Sequence, residues 1–186
     1  MAFEIPVINA DLLFLDVDMI VQQCNCLTVT ADGLAQQIKE KLKVDPYGHR
    51  KCMKGRKNCA VKEDRGIPGQ VKIYRRKNHR PQYVACLFAQ FSPGRPQSYY
   101  QDILQEHIDP TTNQPIKDDF NQRQEWFKQS LEILGRRLVQ LDCHTVALPS
   151  QIGCGLAGGS WINYKAILTE WASKNADKFS VLIAQL

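Results

Sequence analysis

The sequence predicts an α/β fold with a central mixed, mainly parallel sheet and helices on both faces. Three observations carry this expectation. Strand-like apolar runs alternate with segments of helical spacing along the 186 residues. One run, Tyr83-Val84-Ala85-Cys86-Leu87-Phe88-Ala89, is continuously apolar, as a strand covered on both faces is. A glycine-rich loop, Ile152-Gly153-Cys154-Gly155-Leu156-Ala157-Gly158-Gly159, leaves one strand and enters a helix, where open α/β sheets form their crevices.

The elements follow in order. Phe3 to Ile8 reads as a short first strand and Met19 to Cys24 as a second, largely buried one. Leu34, Ala35, Ile38 and Leu42 recur at helical spacing, and Asp45-Pro46-Tyr47-Gly48 ends that helix. A long polar segment runs from there to Pro68-Gly69. Val71 to Tyr74 alternates like a half-exposed strand, and the Tyr83 run follows it. Residues 90–117 hold five prolines or glycines in the first 26 positions and read as a long loop. Asp118 or Asp119 is placed to cap a helix whose stripe is Phe120, Phe127, Leu131, Leu134, Leu138 and Leu141. Thr145 to Leu148 is a strand, a helix starts near Trp161, and Ser180 to Ala184 is the last strand.

Composition narrows the class. With 44% hydrophobic and 23% charged residues, the chain resembles ordinary globular proteins and not disordered ones. No apolar run approaches the roughly 20 residues that span a bilayer, so no membrane partner is expected. The start of the chain lacks the basic and apolar regions of a secretion signal, which suggests a cytoplasmic or nuclear protein. Seven scattered cysteines fit free thiols in a reducing compartment. His49, Cys52 and Cys59 match no usual paired-ligand spacing, so neither a metal nor a cofactor is expected. A monomer is expected.

The net charge of +5 is unevenly placed. Residues 39–80 hold 15 Lys+Arg against 4 Asp+Glu. Such a stretch can mean a nucleic-acid partner, or simply a solvated insertion. Only Tyr47 and Tyr74 are aromatic there, too few for a row of base-stacking platforms, and the solvated insertion is the stronger reading.

The glycine loop carries the functional argument. A helix N-terminus offers unpaired N–H groups and the positive end of its dipole. Glycines let the backbone approach an anion closely. Gly153, Gly155, Gly158 and Gly159 together therefore suggest a diphosphate site rather than an empty turn. Asn25 follows Gln23 and Cys24 at a strand's carboxyl end, where an amide binds sugar hydroxyls or caps local backbone. Asp32-Gly33-Leu34-Ala35 opens a helix. Asp11 precedes Leu12 and Leu13, which suits an adenine amine beside hydrocarbon, or a plain turn.

These pieces, in this order, resemble the macro domain family over nearly the whole chain. The resemblance implies one three-layer α/β/α macro domain spanning residues 1–186, with 45–69 as a basic insertion. It also implies an ADP-ribose or ADP-ribosylated protein partner. Asn9-Ala10-Asp11-Leu12-Leu13 is similar to the family's Gly-Asp-Ile/Leu element, with Ala10 where glycine is frequent. Residues 18–25 resemble its second strand ending in the distal-ribose Asn25. Asp32-Gly33-Leu34-Ala35 resembles its first glycine loop, and residues 152–159 its second. The implied ligand-binding set is Asp11, Leu12, Gln23, Asn25, Gly33, Leu34, Ala35, Ile152, Gly153, Cys154, Gly155, Leu156, Ala157 and Gly158. Residues 85–90 with Pro93-Gly94-Arg95 are similar to the ADP-ribose-1''-phosphate phosphatase-like branch. The terminal ADP-ribose glycohydrolase-like branch is the other close resemblance.

The departures concern chemistry. The fungal phosphatases have a catalytic histidine where this chain has Gln22, an amide that cannot exchange a proton at neutral pH. The glycohydrolase branch has an aspartate where this chain has Ala157, and its catalytic lysine has no counterpart. Three functions follow as expectations: an ADP-ribose reader, a hydrolase of ADP-ribose esters or the 1''-phosphate, and a nucleic-acid-binding module through 39–80. Asn25 and Asp32 are the only catalytic candidates, and Asp32 reads better as a helix cap. Phe91, or another residue of the long loop, is expected to cover the site.

Overall fold

A computed structural model describes all 186 residues. Six strands form one sheet: β1 (Val7–Asn9), β2 (Met19–Asn25), β3 (Val71–Arg75), β4 (Tyr83–Gln90), β5 (Thr145–Pro149) and β6 (Ser180–Gln185). Their order is β1-β6-β5-β2-β4-β3. Every pairing is parallel except β3 with β4, so the antiparallel strand lies at an edge. This is the mixed, mainly parallel sheet that the apolar runs imply. β4, in the interior, is buried at all eight positions. β3 is half-exposed, as its alternation requires.

Four helices connect the strands: α1 (Gly33–Leu42), the short α2 (Gln101–Leu104), α3 (Phe120–Gln140) and α4 (Trp161–Lys174). α3 and α4 cover one face, with Phe127 and Tyr164 packed 4.8 Å apart between them. Gln23 of β2 points to that face and meets Tyr164. Its neighbour Cys24 points to the other, beside Tyr47 and the segment that follows α1. One cluster of 44 buried residues runs through both layers. No helix is long and apolar enough to cross a membrane.

Four boundaries differ from the sequence reading. The first strand is Val7–Asn9, not Phe3–Ile8; Pro6 has no N–H to donate and contributes only its carbonyl, which accepts from Ile183. α1 stops at Leu42, because Lys43 adopts the left-handed conformation that closes the helix before Asp45-Pro46. Residues 90–117 are not all loop: a turn of 3-10 helix at Ser98–Tyr100 leads into α2, anchored by the buried Ile103 and Leu104. The 45–69 insertion is tightly folded. Arg65 is buried there, donating to Ala60 O and Glu106, and Cys52 bridges to Ala60. His49, Cys52 and Cys59 do not gather with any further ligand into a metal-holding group.

Asp118 and Asp119 divide the work at the start of α3. Asp119 caps the helix, accepting from Gln122 N at 2.7 Å. Asp118 is buried against Arg123, 2.6 Å away, with each side chain only 1% exposed. Arg123 also donates to Gly94 O and Ser92 O, and Asp118 accepts from the Ser92 main chain. This ion pair therefore ties α3 to the loop that leaves β4.

Removing one partner should be costly, because the other charge stays buried alone. Arg123→Met is expected to lose about 3–5 kcal/mol of unfolding free energy, and the double variant Arg123→Met with Asp118→Leu to recover most of it. Urea denaturation measures both. A single variant as stable as the parent would show that the pair does not hold this junction.

Candidate functional site

The carboxyl ends of β2, β4 and β5 open into a cleft of about 750 Å³. That size is in the range of small-molecule sites, which run from about 300 to 1,000 Å³. β2 and the turn after it supply Gln23, Asn25 and Thr28; the start of α1 supplies Asp32, Gly33, Leu34 and Ala35. Pro93 and Gly94 come from the loop after β4, and Pro149 to Gly153 with Gly155 to Ala157 from the end of β5 and its loop. The insertion contributes Tyr47 and Asn58.

On the two glycine-bearing loops of this wall, the main-chain N–H groups of Leu34, Ala35, Gly153, Gly155, Leu156 and Ala157 donate to nothing in the protein. The first two are orphan donors of a helix start. The other four follow from how the loop closes on itself. Cys154 N donates to Gln151 O, Gly158 N to Gly155 O and Gly159 N to Gly153 O, at 2.8–3.1 Å. Those bonds fix the loop and leave the remaining donors on the cleft wall. The two loops nearly touch, since a Cβ on Gly33 would lie 3.7 Å from Leu156 Cδ1.

The glycines do different work. Gly153 has φ +74°, and a Cβ there would lie 2.5 Å from the Tyr164 ring; at Gly159 the same ring is 2.8 Å away. These two let the loop sit on Tyr164. Gly158 passes under Arg95, whose side chain would be 2.8 Å from a Cβ. Gly155 alone faces open space. Three of the four glycines are thus held to glycine by conformation or close packing, and a side chain at Gly155 would enter open space; Gly153 serves both ends, since its N–H also stays unpaired on the wall.

The wall around Asn25 is equally fixed. Its Oδ1 accepts from Leu27 N (2.9 Å) and Thr28 N (2.8 Å). Its Nδ2 lies 3.0 Å from Thr28 Oγ1, which leaves one amide hydrogen free. The Asn25 main chain is held from behind: its N–H donates to Tyr47 Oη, and Arg50 donates to its carbonyl and to that of Thr28. Asn58 Oδ1 accepts from Val29 N, Thr30 N and Thr30 Oγ1. Gln23 Nε2 donates to Gln90 Oε1, and Gln90 Nε2 to Ser92 O, so a chain of amides sets the floor.

Asp32 is the only carboxylate on the wall, and it caps α1 through Gly33 N at 2.7 Å. No lysine, arginine or histidine lines the cleft. Burial raises the Tyr47 phenol well above its ordinary value and keeps it neutral.

Four residues of the sequence-derived set lie off this wall. Asp11 caps a 3-10 turn, Leu12–Phe14, accepting from Leu13 N at 3.0 Å. Leu12 is buried in the core. Cys154 turns into its own loop, 3.3 Å from Ile152 O, and burial pushes its thiol up to about 11. Gly158 lies beneath Arg95. Phe91 does not cover the site: it is fully buried, edge-on to His107. Conversely, Thr28, Tyr47, Asn58 and the brace from Arg50 had no motif to announce them. The Asp45-Pro46-Tyr47-Gly48 turn was the nearest signal, and it reads as punctuation.

The backbone arrangement has solved counterparts. The macrodomain of Thermus aquaticus DarG superposes with TM-score 0.62 at 18% identity, covering 98% of both chains. That of Mycobacterium tuberculosis DarG gives 0.65 at 16% identity, again over 98% of both. The fold is the macrodomain fold. A Trypanosoma brucei macrodomain in complex with ADP-ribose superposes with TM-score 0.59 at 9% identity, over 97% of this chain and 63% of that one. No family model matches the sequence, and no curated protein matches it. Within this macrodomain fold, Gln22 is buried off the cleft wall, its Nε2 3.4 Å from Cys86 Sγ. Ala157 presents only a methyl group to the cleft.

The division of labour among the glycines is testable by stability alone. Gly153→Ala should cost about 2–4 kcal/mol through left-handed strain and overlap with Tyr164. Gly155→Ala should change stability by less than about 0.5 kcal/mol. Thermal or urea unfolding of both variants checks this, and equal losses would refute the split.

Proposed function

We propose that the cleft binds ADP-ribose, free or attached to a protein, and holds its diphosphate by neutral main-chain donors. The observation that carries this reading is the run of unpaired N–H groups at Leu34–Ala35, Gly153 and Gly155–Ala157, on a wall that has no cation and one carboxylate. Neutral, pre-placed N–H groups suit an anion that must also be released. The fold shared with a macrodomain solved in complex with ADP-ribose supports the choice of nucleotide.

In this reading the diphosphate runs between Leu34–Ala35 and Gly155–Ala157. The distal ribose meets the free amide hydrogen of Asn25. Adenine occupies the end formed by Pro149, Ser150 and Gln151, reaching Asp11 through the carboxylate oxygen that does not cap Leu13. Binding is favoured over hydrolysis because the wall offers no general acid or base except Asp32, which already caps α1. Lys51, Lys54 and Lys57 are exposed on the segment that carries Asn58, and the basic 39–80 stretch is proposed through them as a weaker contact to a polyanion such as nucleic acid.

Calorimetry with ADP-ribose tests the main reading. Gly155→Trp should abolish binding while leaving the fold intact, since that position is open. Asp11→Ala should weaken binding by about 1–3 kcal/mol. Unaltered binding by either variant would remove that residue from the site. Turnover of ADP-ribosylated protein or of ADP-ribose-1''-phosphate by the purified protein would overturn the choice of binding over hydrolysis. Nucleic-acid affinity should fall steeply with salt, and its absence at low salt would remove this contact.

A further inference from the structure

A second cavity of about 300 Å³ lies behind the Asn25–Thr28 turn, between the insertion and β3. It shares no lining residue with the main cleft. Arg50, Arg65 and Lys72 bring three cations to its wall, and Asp64 is its one carboxylate. Asp64 is itself engaged, accepting from Lys51 N at 2.7 Å.

The two arginines are 7% and 8% exposed. Arg65 is fully engaged: Nε donates to Ala60 O, Nη1 meets Glu106 at 3.1 Å and His107, and Nη2 meets the Met53 sulfur. Arg50 has no carboxylate partner at all. Its guanidinium donates to the carbonyls of Asn25 and Thr28 and lies over the Tyr47 ring, 4.8 Å from its centre. Its Nε hydrogen has no acceptor. A buried, unpaired guanidinium is expensive, because carbonyls and rings only partly replace its hydration. Its placement at a cavity that also collects Lys72 is explained if the counter-charge is a ligand.

We propose that this cavity is a phosphate site, which takes inorganic phosphate or a phosphomonoester against Arg50 and Lys72. A tetrahedral dianion fits the volume and matches the geometry of guanidinium donors. Arg50 keeps its bonds to Asn25 and Thr28 on its other side, so the anion completes the brace and does not displace it. His49 lies on the same wall. Burial, Lys72 and Arg50 hold its pKa below the ordinary value, against Asp64 and Asp45. A bound dianion would raise that pKa.

The test is a nuclear magnetic resonance titration of the full chain with inorganic phosphate, and separately with phenyl phosphate, at constant ionic strength set by chloride. Saturable shifts at the Arg50 Nε–H and the Gly66 amide are expected, with an upward move of the His49 pKa. Lys72→Met should weaken phosphate at least tenfold. Lys77→Met, an equal loss of charge on the exposed end of the β3–β4 hairpin, should leave it unchanged. Equal effects of the two variants, or shifts confined to exposed lysines, would overturn the proposal. Saturation by inorganic phosphate alone would select the free ion, and by phenyl phosphate alone a monoester. ADP-ribose affinity in the main cleft is measured on the same samples, so failure of one site is separate from failure of the other.

Discussion

The cleft depends on the seat that Tyr164 provides for the loop after β5. The ring is 1% exposed and braced by Phe127. Gly153 and Gly159 rest on it so closely that neither position admits a side chain. A loop pinned at both ends by one ring, and closed by its own short hydrogen bonds, cannot rotate its middle donors inward. Gly155, Leu156 and Ala157 are thereby left with N–H groups that only solvent or a ligand can meet. Orphan donors are costly when dry, and they persist where the rest of the structure over-determines them. The helix dipole of α1 adds its positive end across the gap.

The opposite wall is fixed by a different device. Asn25 spends its carbonyl oxygen on the turn that it begins, as a loop asparagine commonly does. Capping and ligand binding are usually weighed as rivals at such a residue. Here they coexist, because an amide has two donors and the turn uses only one. The turn is then held from behind by Tyr47 and Arg50, both from a segment that looks in sequence like solvated filler. That segment locks in turn to the loop after β4, where Arg56 pairs with Asp102 and Arg65 with Glu106. The buried Asp118–Arg123 pair fixes the base of the same loop.

Much of the fold was legible because it rests on local patterns. The continuous apolar run of β4 and the stripe of α3 report burial directly. The order of motifs placed the two loops at the strand ends. What was not legible depends on contacts distant in sequence. Asp118 and Asp119 are equally good caps on paper; only the approach of Arg123 and Ser92 assigns one to the core. The charge count of 39–80 treats Arg50 and Arg65 like the lysines around them, although both arginines are buried. A residue tally cannot tell a guanidinium turned inward from one turned outward. The glycines illustrate the same limit, since a motif counts four where packing distinguishes three from one.

The two proposed sites would meet anions in physically distinct ways. In the main cleft, donors are neutral dipoles that act at short range and demand correct geometry. At the second cavity, whole charges sit in a partly dry wall, where they act over longer distances and tolerate looser fit. The first arrangement suits a shaped nucleotide that must be recognised and released; the second suits a small ion that balances charge. Arg50 touches both, since it braces the carbonyls of the Asn25 turn and also lines the second cavity. The basic segment thus gains a role that its composition alone does not reveal: it supplies the rigid back wall of a site whose front wall is almost uncharged.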